Sequence, residues 1–200
     1  MKKARIAVLV SGGGTNLQAL IDSQASGVIQ SGEITLVISN NANAFALERA
    51  AKANIATAVV LKKDCGSQAA FEDRIKELIS ENQIDLIVLA GFMSILSENF
   101  TKDYPERILN VHPSLIPSFC GVGYYGLRVH EEALAYGVKV TGATVHFVNE
   151  IPDGGKIILQ KAVDIQEGDT PEVLQKRVME QAEWKILPAA VELVSKQLIG

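Results

Sequence analysis

The chain has 200 residues, of which 48% are hydrophobic and 21% are charged, and its formal net charge at pH 7 is −4. These values are typical of one globular domain and exclude a disordered chain, a coiled coil, a small disulfide scaffold and a membrane-spanning helix. The acidic balance argues against nucleic acid or a membrane surface as partners. Cys65 and Cys120 have neither metal-site nor disulfide spacing and no signal peptide is recognisable, so we expect a cytoplasmic protein.

The first half of the chain alternates short apolar runs with segments of helical periodicity. In chain order, this pattern predicts a strand at 5–10, a helix from 17, a strand at 33–38, a helix at 44–53, a strand at 57–61, a helix at 67–80, a strand at 85–90, a helix at 97–103 and a strand at 108–111. Such alternation is typical of a doubly wound, mostly parallel α/β sheet with right-handed crossovers.

The pattern changes after residue 112, where a loop rich in Pro, Gly and Tyr begins. Beyond it the sequence predicts a helix to residue 136, an antiparallel pair of strands at 140–148 and 156–163, and a long terminal helix at 171–198. Thr170 and Pro171 suit the start of that helix, and Pro188 is expected to be the place where it could break. We expect a single domain over residues 1–200.

A glycine-rich turn, residues 11–16, joins the first strand to the first helix. Glycines allow a close backbone approach and the helix N-terminus offers free N–H groups, which predicts a site for a single phosphate assisted by Thr15 and Asn16. Leu17 stands where both the Walker A motif and the dinucleotide fingerprint require glycine, so neither applies. An ordinary strand-to-helix turn remains the alternative.

Asn110 and His112 lie two residues apart at the end of a predicted strand, so their side chains point to the same side. An amide can donate to a developing oxyanion and an imidazole can act as an acid or base. The spacing is equally compatible with a solvated histidine at a strand end.

Two further motifs are weaker. The sequence Asp153-Gly154-Gly155 suits a hairpin corner, which is the simpler interpretation. The apolar run at 89–96 could form a wall for a flat ligand or ordinary core. However, the glycine-rich turn, Gly91 and the Asn110–His112 pair all follow predicted strands, and ligands bind at that edge of open α/β sheets.

The remaining large polar and aromatic residues have structural interpretations. We expect His130 to be exposed on a helix, and His146 to be a hydrogen-bonded structural residue near the site. Trp184 is expected in the core. The nearby Glu180 and Glu183 could bind sugar hydroxyls.

In combination, these motifs resemble the phosphoribosylglycinamide formyltransferases of purine biosynthesis. The resemblance rests on residues 11–20, 89–93, 110–117 and 144–148 and on Asp153-Gly154-Gly155, and order and spacing agree from about residue 5 to residue 194. It implies a Rossmann-like formyltransferase fold and transfer of the formyl group of 10-formyltetrahydrofolate to the amine of glycinamide ribonucleotide, without a metal.

The resemblance also implies roles for individual residues. Asn110, His112 and Asp153 would be catalytic, with Asp153 beside His112 and raising the pKa of that histidine above about 6.5. The remaining implied roles are phosphate binding by Gly14, Thr15 and Asn16, ribose binding by Glu180 and Glu183, and folate binding by Gln68, Met93, Ser94, Ile95, Leu96 and Asn110.

The chain departs from the family pattern in several places. Gln68 and Ser94 stand where arginine is common, the loop at 120–128 is expanded, and the helix at 179–188 matches only with a one-residue shift. The alternatives are a formyltetrahydrofolate deformylase-like hydrolase and a non-catalytic phosphate- or nucleotide-binding module. In either case we expect small-molecule partners and a monomer or homodimer.

Overall fold

The computed structural model describes residues 2–200; residue 1, with which the expected domain begins, lies outside the described residues. Seven strands form one sheet: β1 (Ala4–Val10), β2 (Gly32–Ser39), β3 (Ala56–Val59), β4 (Leu86–Leu89), β5 (Ile108–His112), β6 (Val140–Phe147) and β7 (Ile157–Asp164). Each of them overlaps a strand that the sequence predicts.

Eight α-helices accompany the sheet: α1 (Thr15–Ala25), α2 (Phe45–Lys52), α3 (Lys62–Cys65), α4 (Gln68–Glu81), α5 (Glu98–Asp103), α6 (Leu127–Tyr136), α7 (Pro171–Val178) and α8 (Trp184–Ile199). A π-helical turn, Met179–Glu183, joins α7 to α8. Within residues 2–200, no helix is both long and apolar enough to cross a membrane.

The strand order is β3-β2-β1-β4-β5-β6-β7. The first five strands pair in parallel, whereas β6 is antiparallel to both β5 and β7. The predicted doubly wound, mostly parallel sheet with a C-terminal antiparallel pair is therefore confirmed.

Both faces of the sheet are covered, as the alternation in β1 illustrates. Ile6, Val8 and Val10 pack into one apolar cluster, which includes buried residues of α1 and α8. Ala7 and Leu9 point to the opposite face, into a cluster built on α4 and α5. Because the strands of a parallel sheet are buried on both faces, their sequences are continuously apolar.

The direction of the chain reverses across the sheet between β1 and β4. After β1 the chain moves outward through β2 and β3, and β4 then pairs with the other side of β1. Such a switch point opens a crevice beyond the carboxyl ends of the strands, where ligands bind in open α/β sheets. The glycine-rich turn and Gly91 lie at this point.

The C-terminal helix differs from its prediction. Pro188 does not interrupt it but lies inside α8, where Leu187, Ala190 and Val191 are buried against the sheet. This packing holds the helix together although the proline removes one main-chain hydrogen bond. The irregularity falls instead at Met179–Glu183, where a π turn accommodates one additional residue. This turn lies in the region whose sequence matched the family pattern only with a one-residue shift. The single-turn α3 is too short to produce a periodic sequence pattern and was not predicted.

Candidate active site

The glycine-rich turn presents main-chain N–H groups at the start of α1. Gly14 precedes the helix in the left-handed conformation, with φ 72°, and its carbonyl accepts the first helical hydrogen bond, from the N–H of Gln18 at 2.9 Å. The N–H groups of the first turn, which begins at Thr15, therefore have no partner inside the helix. Together with the positive end of the helix dipole, they form a site suited to an anion.

The turn is packed tightly against α2. A Cβ atom on Gly14 would lie 2.6 Å from the Cβ of Ala46, so only glycine fits. The N–H of Ala46 donates to the Gly12 carbonyl at 3.1 Å, and Arg49 Nε donates to the Gly13 carbonyl at 2.8 Å. These contacts hold the turn in place and bring one positive charge close to it.

The π turn supplies a carboxyl group next to the glycine-rich turn. Asn16 Nδ2 donates to Glu183 Oε2 at 2.8 Å, and Thr15 Oγ1 lies 3.9 Å from Met179 Sδ. Burial raises the pKa of Glu183, which is 6% exposed, and the hydrogen bond from Asn16 offsets this only in part. Glu180 lies on the exposed side of the turn, 3.9 Å from Lys176 Nζ.

Four side chains from β5, β6 and the loop between β6 and β7 form a second group, here called the polar cluster: Asn110, His112, His146 and Asp153. Asp153 is its centre. Its Oδ1 lies 3.5 Å from Asn110 Nδ2 and 3.6 Å from His146 Nε2, and its Oδ2 lies 3.5 Å from His112 Nδ1. The structure thus brings together the three residues for which the sequence suggests a catalytic role.

Local sequence explains how these groups reach their places. Pro113 cannot donate a ladder hydrogen bond, and β5 ends at the preceding His112. Asn110 is paired in register with His146 on the antiparallel β6, and their side-chain nitrogens lie 3.2 Å apart. Gly155 lets the loop fold closely onto β6, because a Cβ there would lie 1.7 Å from the Phe147 carbonyl oxygen.

The protonation of the cluster differs from expectation. Burial lowers the pKa of His112, and the charge of Asp153 and the hydrogen bond to the Phe119 carbonyl offset this only in part. The prediction that Asp153 raises this pKa above 6.5 is therefore wrong, because the sequence did not reveal how deeply the ring is buried. Burial alone would raise the pKa of Asp153, but contacts with His146, His112 and the Gly121 N–H outweigh it and lower the pKa.

A cavity of about 120 Å³ opens beside the polar cluster. Its apolar walls come from Leu89, Phe92, Ile95, Leu96, Val148 and Ile151, and its polar edge includes Ser94, Asn110, His146, Glu150 and Asp153. Four of the predicted folate-binding residues, Ser94, Ile95, Leu96 and Asn110, therefore line one cavity. No folate-binding role was predicted for Val148, although its position directly after β6, a partner of β5, is compatible with one.

The other two predicted folate-binding residues lie outside the lining of this cavity. The side chain of Met93 is 59% exposed. Its main-chain N–H donates to Ser11 Oγ at 2.8 Å, which ties this segment to the glycine-rich turn. Gln68 Nε2 donates to Glu72 Oε1 at 2.6 Å and to the Ile95 carbonyl at 3.2 Å. Gln68 thus supports the cavity wall from behind.

Two other expectations are wrong. His130 is not exposed but fully buried, with no partner for either ring nitrogen among the described residues, and burial together with the nearby His112 lowers its pKa to about 4. Val129 and Ala133, on the same helix, are apolar and buried, and this pattern was the sequence signal from which the burial of His130 could have been predicted. Trp184 is half-buried rather than part of the core, and it lines a second cavity with Thr15, Gln18, Ala19, Asp22 and Arg49.

Metal binding requires a particular arrangement of ligating side chains. Among residues 2–200, no group of three or more His, Cys, Asp or Glu side chains is arranged so that it could hold a metal ion.

The sequence matches the model of the formyl transferase family over residues 4–191. The chain belongs to the formyl transferase family. The resemblance drawn from the motifs at 11–20, 89–93 and 110–117 is thereby confirmed, and all the residues of the polar cluster fall inside the matched region.

Relatives and solved structures agree with this membership. The chain is 45% identical over 192 residues to phosphoribosylglycinamide formyltransferase of Haemophilus influenzae, covering 96% of this chain and 86% of that protein. It is 49% identical over 194 residues to trifunctional purine biosynthetic protein adenosine-3 of Bos taurus, but spans 18% of the length of that protein. The crystal structure of glycinamide ribonucleotide transformylase 1 from Symbiobacterium toebii superimposes with a TM-score of 0.91 at 42% identity, covering 98% of this chain and 89% of that one.

Proposed function

We propose that the chain transfers the formyl group of 10-formyltetrahydrofolate to the amine of glycinamide ribonucleotide in de novo purine biosynthesis. The observation that carries the proposal is the position of Asp153, within 3.5 Å of both Asn110 and His112 at the edge of an apolar cavity. The names of the relatives with similar length support the same activity.

The ribonucleotide would bind at the glycine-rich turn. The N–H groups at the start of α1, near Gly14, Thr15 and Asn16, suit the phosphate. Glu183 accepts a hydrogen bond from Asn16 Nδ2 at 2.8 Å, and its carboxyl group would accept from the ribose hydroxyls. Glu180 would contact the sugar from the solvent side of the π turn.

The folate cosubstrate would occupy the cavity beside the polar cluster. A flat ring system fits between the apolar side chains Phe92, Leu96 and Val148, and Asn110 and Asp153 stand at the edge where polar atoms would lie. Ile95 is 68% exposed, and a ligand at the mouth of the cavity would cover it together with Met93 and Ser94. Gln68 would contribute indirectly to folate binding, through its hydrogen bond to the Ile95 carbonyl.

The polar cluster can carry out the transfer. The amine attacks the formyl carbon, and Asn110 donates to the oxygen on which negative charge develops, an interaction typically worth about 3 kcal/mol of barrier. The attacking nitrogen must lose a proton and the departing folate nitrogen must gain one. Because burial lowers its pKa, the neutral form of His112 is favoured and can accept the proton of the attacking amine, while Asp153 stabilises the resulting imidazolium. As the bond from the formyl carbon to the folate nitrogen breaks, His112 passes that proton to the departing nitrogen.

The expected setting of the reaction follows from the same residues. Both substrates are small molecules, and no step above requires a metal. The free thiols of Cys65 and Cys120 fit a reducing compartment such as the cytoplasm. Residues 1–200 would act as a single catalytic domain.

The decisive experiment measures formyl transfer from 10-formyltetrahydrofolate to glycinamide ribonucleotide, with water as the control acceptor. The proposal predicts formylated ribonucleotide and only slow release of formate without the ribonucleotide. Rapid formate release that is independent of the ribonucleotide would instead identify a hydrolase. Binding of the ribonucleotide without either reaction would leave a binding module.

A further inference from the structure

The loop between β5 and α6 makes two main-chain contacts with the polar cluster. The Phe119 carbonyl lies 2.8 Å from His112 Nε2, and the Gly121 N–H donates to Asp153 Oδ2 at 2.8 Å. Neither Phe119 nor Gly121 lines the cavity, and neither belongs to the predicted site residues. The loop therefore acts on the site through its backbone.

The first contact determines how the His112 ring is used. A carbonyl oxygen can only accept a hydrogen bond, so Nε2 must carry a proton. The other nitrogen, Nδ1, is then directed at Asp153 Oδ2, 3.5 Å away. The Phe119 carbonyl thus favours the neutral tautomer protonated at Nε2, in which Nδ1 has no proton to donate to Asp153. Nδ1 is therefore the atom that gains or loses the proton, and the ring donates to both partners only as an imidazolium.

The second contact holds the partner of His112. The oxygen of Asp153 that accepts from Gly121 is the one that faces Nδ1. Two residues of the loop, separated by Cys120, therefore fix both sides of the His112–Asp153 pair. A displacement of this segment would alter the distance between the two groups.

The backbone at Phe119 is held in a costly conformation. Its φ is 49°, in the left-handed region, which a residue with a bulky side chain rarely adopts. Its ring packs against Tyr124, with centroids 6.4 Å apart, and edge-on against Tyr136 at 6.0 Å. The contacts of the ring with these two tyrosines oppose the backbone strain and keep the carbonyl directed at His112.

We propose that Phe119 is a positioning residue, whose ring, packed against Tyr124 and Tyr136, holds its carbonyl on His112 Nε2 and so orients the His112–Asp153 pair. Its effect on turnover rests on the proposed function, because the pair matters to turnover only if it transfers protons. Its effect on the His112 tautomer does not depend on the reaction. The two consequences can therefore be measured separately.

The first test compares Phe119→Gly with Phe119→Tyr. Glycine accepts the left-handed backbone but lacks the ring, whereas tyrosine keeps the ring. For Phe119→Gly we expect kcat to fall about tenfold or more, as small misplacements at reacting groups do, with both KM values within about twofold of wild type. Nitrogen-15 NMR should show His112 as a single tautomer protonated at Nε2 in the wild type and in Phe119→Tyr, and as a mixture in Phe119→Gly.

A second pair of variants decides the matter if Phe119→Gly does not fold. Tyr136 is 81% exposed, so Tyr136→Ala removes the contact with Phe119 at little cost to the core, and Tyr125→Ala is a matched control in the same region. We expect Tyr136→Ala to shift the His112 tautomer and lower kcat about threefold, as expected for a slightly loosened site, and Tyr125→Ala to do neither.

The proposal is overturned if folded Phe119→Gly or Tyr136→Ala keeps both the wild-type tautomer and the wild-type kcat. A wild-type protein that transfers no formyl group, but whose His112 tautomer depends on Phe119 as described, would refute the proposed function and support the positioning role. The two failures are therefore distinguishable.

Discussion

The glycine-rich turn and the polar cluster lie on the same edge of the sheet but are assembled differently. The turn comes from one continuous segment, residues 11–16, and presents main-chain N–H groups. The cluster collects side chains from β5, β6 and the loop that carries Asp153. A site made of continuous backbone depends on local conformation, whereas the cluster depends on the packing of distant segments.

The two regions also differ in their electrostatics. The partial charges at the start of α1 do not titrate, so anion binding there should respond to pH only through the ligand and through Glu183. The cluster consists of groups whose pKa values are shifted by burial and by one another. Substitutions in the two regions should therefore separate binding from chemistry.

The largest expected effect is on turnover. His112→Ala and Asn110→Ala should each lower kcat by about 10²–10⁴-fold, the usual contribution of an acid–base group or an oxyanion donor. Calorimetry should show nearly unchanged affinity for glycinamide ribonucleotide, because the site proposed for its phosphate is the glycine-rich turn. Asn99→Ala, on an exposed position of α5, is the control. Full turnover in either variant would remove the cluster from the mechanism.

The buried His130 should make the protein sensitive to acid. Its pKa of about 4 in the folded protein lies below the ordinary 6.5, so the unfolded chain binds the proton more tightly between these values. The unfolding free energy is therefore unaffected by the titration of His130 above pH 6.5 and decreases as the pH falls, by about 3 kcal/mol at pH 4. Urea unfolding at several pH values should show a smaller loss for His130→Leu. Parallel pH profiles for the two proteins would contradict this.

Gly14→Ala should destabilise the glycine-rich turn. Alanine would adopt an unfavourable φ of 72° and place its Cβ 2.6 Å from Ala46, a combined cost of about 3 kcal/mol in unfolding free energy. Gly27→Ala is the matched control, because its φ is 78° but no atom lies within 4 Å, and it should cost about 1 kcal/mol. Equal costs in chemical denaturation would show that contact with α2 does not constrain the turn.

The smallest expected effect concerns Glu183. Because burial raises its pKa above 4.5, the folded protein favours the protonated form, and this contribution to stability is lost as pH rises through the folded pKa. Glu183→Gln cannot ionise, and its side-chain oxygen can still accept from Asn16. Its unfolding free energy should therefore increase relative to wild type as the pH rises above about 4.5. A pH-independent difference would mean that Glu183 stays ionised.

Much of the fold could be predicted because the relevant signals are local. Apolar runs that stop at glycine or proline, such as the one before Ser11 and the one before Pro113, mark strands buried on both faces. The turn after β1 is visible for the same reason, since its backbone conformation depends on the glycines themselves. The alternation of strands with helices predicted a doubly wound, mostly parallel sheet, but not the order of its strands.

The features that could not be predicted depend on tertiary contacts. Asp153 is 41 positions after His112, and only the pairing of β6 with β5 brings its loop back to the cluster. The contact of His112 with the Phe119 carbonyl involves no side chain of Phe119. The burial of the His112 ring, which lowers its pKa, likewise depends on what packs against it and is not visible in residue type or spacing.

The central place of Asp153 has a consequence for how the molecule becomes functional. One carboxylate joins β5, β6 and the following loop, so a chain in which the last hairpin has not docked lacks the proposed proton-transfer pair.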